Sequence, residues 1–150
     1  MLHTAVLAVH ITAGVAGLIL GPFAIRPARH GRRGKGTRPY VVTVTVLTTS
    51  AVALAIVRWH ALWPFALIAV ATEAAVVASW WVAERRRPGW LPWHVRLLGG
   101  SYVSLVTALL VVSWGTLLAW VVPSVVGATL VERAAAHAAG EERRLTVLAG

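Results

Sequence analysis

The chain has 150 residues, 58% of them hydrophobic and 13% charged, with a mean hydropathy of +0.74, a net charge of +9 and no cysteine. An average soluble domain carries about 25% charge, and a soluble core of this size cannot hide so much apolar surface. Disulfides and thiolate metal sites are excluded, and with no nucleophile–base triad, Walker loop or HExxH motif, hydrolase and nucleotide chemistry are disfavoured.

Four apolar stretches follow one another, at about residues 4–25, 40–57, 64–82 and 95–122. Each is at least close to the ~20 residues needed to cross about 30 Å of hydrocarbon, and the fourth is longer than needed. The first has no basic region before it, so it reads as a retained span rather than a signal peptide. The expected fold is all-α: an antiparallel, up-down, four-helix transmembrane bundle over residues 1–127. Pro123 is expected to end the last span. An alanine-rich tail follows over 128–150, either a surface helix broken at Gly140 or a frayed segment.

The positive charge is clustered beside these spans. Arg26, Arg29, Arg32, Arg33, Lys35 and Arg38 lie in the first loop without an acid, and Arg85, Arg86 and Arg87 follow the third span. That distribution suits a lipid bilayer with anionic headgroups along residues 26–38, and no nucleic acid. The positive-inside rule puts both basic loops in the cytoplasm and both termini outside, in a multi-pass protein of a bacterial plasma membrane. Trp59, Trp63 and Trp120 then fall near the outer boundary, and Trp80, Trp81, Trp90 and Trp93 near the inner one.

In the first span His10, Gly14, Gly17 and Gly21 are spaced four, three and four, which puts them on one helical face. Gly17 and Gly21 form a small-xxx-small pair for close helix approach, so His10 points into the bundle. Glu73 is the one acid inside any of the four spans, at a depth similar to His10. A His10–Glu73 contact would satisfy both groups and fix the histidine tautomer. The alternatives are a neutral His10 bonded to a neighbouring helix, and a protonated Glu73 bonded to a threonine or a carbonyl.

His60 follows the second span and lines an outer mouth or stands in water, as does His3. His30 lies in the basic loop. His94 opens the fourth span, with Tyr40, Arg96, Ser101 and Tyr102 close in depth. Gly100 and Ser104 mark a second small-residue face. The threonines Thr43, Thr45, Thr48, Thr49 and Thr107 are available to bond across helices.

Imidazoles on facing helices can ligate haem iron axially. His10, His60 and His94, with Glu73, are therefore the candidates for binding haem b or another prosthetic group; a metal site would use His10 and Glu73. No CxxCH is present, so any haem is non-covalent.

Three blocks carry a resemblance. HITAGVAGLILGPFAI, RHGRRGKGTRPYVV and WHVRLLGGSYVSLVTALL are similar to blocks of the domain of unknown function 2306 family, four-span bacterial membrane proteins. The matching positions are His10, Gly14, Gly21, Pro22 and Phe23; His30, Gly36 and Tyr40; and His94, Ser101 and Tyr102. The resemblance implies the four-span fold and the choice of His10 and His94, and no reaction. Three functions are consistent with these readings. One is a membrane electron-transfer protein holding a prosthetic group. The second is a non-enzymatic accessory subunit packing into a homo-oligomer or larger membrane complex. The third is a small proton-coupled transporter working through His10 and Glu73.

Overall fold

The structure, a computed structural model, describes residues 2–25 and 37–149. His30, Gly36 and the cations Arg26, Arg29, Arg32, Arg33 and Lys35 lie outside the described residues. Within them the chain forms five helices and no strand: α1 (Leu2–Ile25), α2 (Thr37–Val57), α3 (Trp59–Arg85), α4 (Trp90–Trp114) and α5 (Leu117–Ala149). All five are long and apolar enough to cross a membrane. The expected count of four is therefore corrected to five.

The difference arises at Gly115. The stretch expected as one long span, 95–122, is two helices joined by a two-residue turn. Gly115 takes the left-handed conformation (φ 62°, ψ 17°) and its N–H donates to the Val111 carbonyl at 2.8 Å, which closes α4. Thr116 then opens α5, its carbonyl accepting from the Ala119 N–H at 3.1 Å. Pro123 does not end a helix but lies inside α5, where it forfeits one hydrogen bond of a helix long enough to tolerate it. Gly140 does not break α5 either. The residues read as a tail continue the helix, and Ala135 and Ala138 are buried on Leu91 and Val95 of α4.

Cross-helix contacts give the arrangement. His10 meets Ser50 and Gly14 meets Leu47, so α1 and α2 are antiparallel. Thr48 meets Glu73 and Arg38 meets Trp80, so α2 and α3 are too. Gly17 faces Leu105 and Gly21 faces Tyr102, which brings α4 back against α1. Helices α1 to α4 thus close a square around Ala24, Tyr40, Val44, Val76, Leu98 and Leu105. The antiparallel four-helix bundle is present, with α5 packed outside it along α4. Five antiparallel helices leave the start of α1 and the end of α5 at opposite ends, so the expectation of both termini on one side is corrected.

Contact across α4 depends on small residues. A Cβ built on Gly99 would lie 2.6 Å from Cγ2 of Val131, and one on Gly127 would overlap Val103. These valines are stiff at χ1 and cannot swing aside. Gly17 and Gly21 do the same for α1, against Leu105 and the Tyr102 phenol. Gly100, expected at a packed face, has nothing within 4 Å of its Cβ position; its neighbour Gly99 does the packing. Ser104 bonds the Gly100 carbonyl of its own helix. The pair makes a clean comparison. Gly99→Ala should cost about 1–3 kcal/mol from overpacking, and Gly100→Ala should not destabilise and should gain up to about 1 kcal/mol of helix propensity, read as the thermal midpoint of each variant in detergent.

Candidate functional site

The polar groups of the bundle fall into three separate sets, each made by residues on adjoining helices. At one level, Nδ1 of the half-buried His10 lies 3.1 Å from Oγ of Ser50. The Ser50 hydroxyl also sits 2.8 Å from the Leu47 carbonyl. With its single proton on that carbonyl, His10 is the donor.

Nearer the basic end, Tyr40 is wholly buried, and its hydroxyl lies 3.0 Å from Oγ of Ser101. Ser101 donates to the Leu98 carbonyl at 2.7 Å, so Tyr40 donates to Ser101. His94 is buried on the same face of α4, two turns earlier. Its Nδ1 donates to the Ser79 carbonyl at 3.1 Å and lies 2.9 Å from the Ser79 hydroxyl. A carbonyl only accepts, so a neutral His94 is held as the Nδ1–H tautomer. Trp90 leans on the imidazole with centroids 5.8 Å apart. The Thr37 hydroxyl oxygen is buried one turn before Tyr40 and has no hydrogen-bond partner among the described residues.

Glu73 forms the third set. Oε1 accepts from Thr45 at 2.9 Å and Oε2 from Thr48 at 2.8 Å. The Thr48 hydroxyl is also 2.9 Å from the Val44 carbonyl. Its one proton is shared between the Val44 carbonyl and the carboxylate. The carboxyl does not face the interior of the square. It lines a shallow groove of about 490 Å³ on the outer surface between α2 and α3, walled by Val52, Ala69, Val70, Ala74 and Val77.

The expected His10–Glu73 contact is not formed. Both side chains bond α2 at nearly the same depth, but on different faces: Ser50 toward α1, Thr45 and Thr48 toward α3. Helices α1 and α3 occupy opposite corners and do not pack on each other. His60 is exposed at the start of α3, about 20 Å along that helix from Glu73. His10 and His94 are about 18 Å apart in depth, as Ser50 lies twelve residues from Arg38 on α2 and Arg38 is level with Trp80, next to Ser79. Among the described residues, then, His10, His60 and His94 do not offer two ligands to one iron, and no histidine lines either groove between α2 and α3. Among the described residues, no three of His, Asp or Glu are grouped to hold a metal ion.

No family model matches the sequence, and no curated protein or solved structure matches it significantly. The likeness to the domain of unknown function 2306 family rests on the three short blocks alone.

Sequence reasoning found Glu73 and His94, and a threonine as the alternative partner of Glu73, but neither which threonines nor Ser79. Thr45 and Thr48 are three apart, hence on one face, which distinguishes them from Thr43 and Ser50 on the α1 side. For Ser79 no comparable signal exists. Two outcomes follow from this geometry. N,N′-dicyclohexylcarbodiimide, an apolar carboxyl reagent that partitions into membranes, should label Glu73 in its apolar groove and should not label the Glu73→Gln variant, read by peptide mass spectrometry. Tyr40→Phe should cost about 0.5–1.5 kcal/mol, because Ser101 keeps its own acceptor, whereas Tyr40→Ala should cost about 3–5 kcal/mol, measured by denaturant titration in detergent.

Proposed function

We propose that this chain is a multi-pass membrane protein, its basic end cytoplasmic, that serves as a non-enzymatic accessory subunit, and that its working surface is the α2/α3 face around Glu73. The observation that carries this reading is the direction of the Glu73 carboxyl. It opens into an outward groove of apolar side chains, not into the bundle. An acid at that depth in a bilayer calls for a proton or a partner. The centre of the square, by contrast, is filled by Tyr40, Val44, Val76 and Leu98, which are completely buried. That favours a surface that receives something over an interior that conducts it.

The partner that fits is a membrane helix with a basic side chain near mid-depth. Among the described residues, a second copy of this chain supplies no free basic group at that level. Arg96 is engaged by Glu132 at 3.0 Å, and His10 is bonded to Ser50. A different polypeptide is therefore the better occupant. Gly17, Gly21, Gly99 and Gly127 are each used within the chain, meeting other helices of the same molecule. Haem binding would need a ligand beyond His10, His60 and His94, and on the accessory-subunit reading purified protein is expected to lack the Soret absorption of a b-type haem.

The test has two parts. The chain should remain in the membrane fraction after alkaline carbonate. A photo-crosslinking residue at exposed Val70 should then capture one discrete partner in native membranes, with the adduct lost in Glu73→Gln. The same probe at Ile19, exposed on α1, should give lipid adducts. Lipid adducts at both positions, or a homodimer adduct at Val70, would overturn the hetero-partner reading.

A further inference from the structure

At the basic end of the same α2/α3 face lies a second groove, of about 280 Å³, lined by Arg38, Val41, Val42, Val77 and Trp80. One end of it is cationic and the walls are apolar. The Arg38 guanidinium lies 5.9 Å from the centre of the Trp80 ring, within the reach of a cation–π contact. That contact positions the guanidinium while its edge stays available to oxygen acceptors in a bidentate arrangement. No carboxylate pairs with Arg38 among the described residues.

Three more arginines at this end lie over tryptophans: Arg85 on Trp81 at 3.9 Å, Arg86 on Trp90 at 5.9 Å and Arg96 on Trp93 at 5.6 Å. Such a belt marks the level of the headgroups. Arg38 differs from them in standing at the mouth of a groove. Arg96 is also spent on Glu132. The amino end of α2 is at the same level, and its first-turn N–H groups and helix dipole also favour negative charge there.

We propose that this groove binds one anionic phospholipid, with the phosphate on Arg38 and the first part of an acyl chain along Val41, Val42 and Val77. The cation at one end selects the phosphate. The apolar walls, which run toward mid-depth, select an attached chain over a free anion. The surrounding positive charge repels the ammonium of a zwitterionic headgroup. The proposal rests on the chain lying in a bilayer, and it does not depend on what occupies the Glu73 groove.

Native mass spectrometry of the purified chain in mild detergent tests it, with dioleoyl phosphatidylglycerol and phosphatidylcholine as probes. The glycerol lipid should be retained in preference. Arg38→Gln should lower its occupancy about fivefold, as expected for one basic residue at an anionic surface. Val42→Trp should lower it as well without changing any charge; Val42 is 62% exposed, so the larger side chain fills the groove and not the core. Arg58→Gln, at the other end of α2, and Glu73→Gln should leave it unchanged, which separates this site from the partner surface. Two results would overturn the proposal. One is retention unaffected by Arg38→Gln and Val42→Trp but lost when Arg26, Arg29, Arg32, Arg33 and Lys35 are neutralised, meaning diffuse attraction to the loop. The other is displacement of the lipid by inorganic phosphate at equal concentration, meaning an anion site with no use for the chain.

Discussion

The bundle depends on how closely its neighbours can approach α4. That helix touches α1, α3 and α5, and two of the three contacts are made at glycines. Gly17 and Gly21 admit Leu105 and Tyr102, and Gly99 and Gly127 admit Val131 and Val103. Lipid tails are as apolar as leucine, so helices in a bilayer gain little from hiding apolar surface from one another. They gain from dense packing and from short polar contacts that the close approach permits. Tyr40 can reach Ser101 across the square because the backbones around it are near.

The polar groups obey a local rule. His10, His94 and Glu73 each find a hydroxyl on a helix that their own helix touches: His10 on Ser50, His94 on Ser79, Glu73 on Thr45 and Thr48. Helix α2 acts as a partition. One of its faces serves α1 and another serves α3, so two ionisable groups at similar depth are kept apart by the thickness of one helix. The interior has no continuous line of polar side chains from end to end among the described residues. The layer of Val44, Val76 and Leu98 separates the His10 level from the His94 level.

Depth was legible in the sequence and azimuth only partly so. The first three helices and the packed face of α1 follow from hydropathy and from the four-three-four spacing of His10, Gly14, Gly17 and Gly21. Matching His10 to Glu73 required knowing which corners α1 and α3 take, and apolar composition carries no such information, because these helices are apolar all round. The fifth helix was present as a pattern. Ser124, Gly127, Val131, Ala135 and Ala138 recur at three- and four-residue steps, and Gly115 followed by Thr116 is a stop-and-start signal. Both are masked by an unbroken run of apolar residues on either side of the turn. The adjacent Gly99 and Gly100 show the limit in miniature: which one faces a neighbour depends on α5, and α5 had first to be recognised as a helix.

The square closes through residues far apart in the chain. Gly17 waits for Leu105, and Gly21 for Tyr102. During synthesis the hairpins α1–α2 and α2–α3 can pair early, but the fourth side is absent until α4 has emerged, and until then Gly21 and the hydroxyl of Tyr40 lack the Tyr102 and Ser101 side chains they meet in the closed square. Closure by such long-range contacts is slow compared with hairpin formation. Without α4, the Gly21 contact of α1 and the Tyr40 hydroxyl bond cannot form. The last helix, added along the outside of α4, does not complete the square; it covers the back of the helix that did.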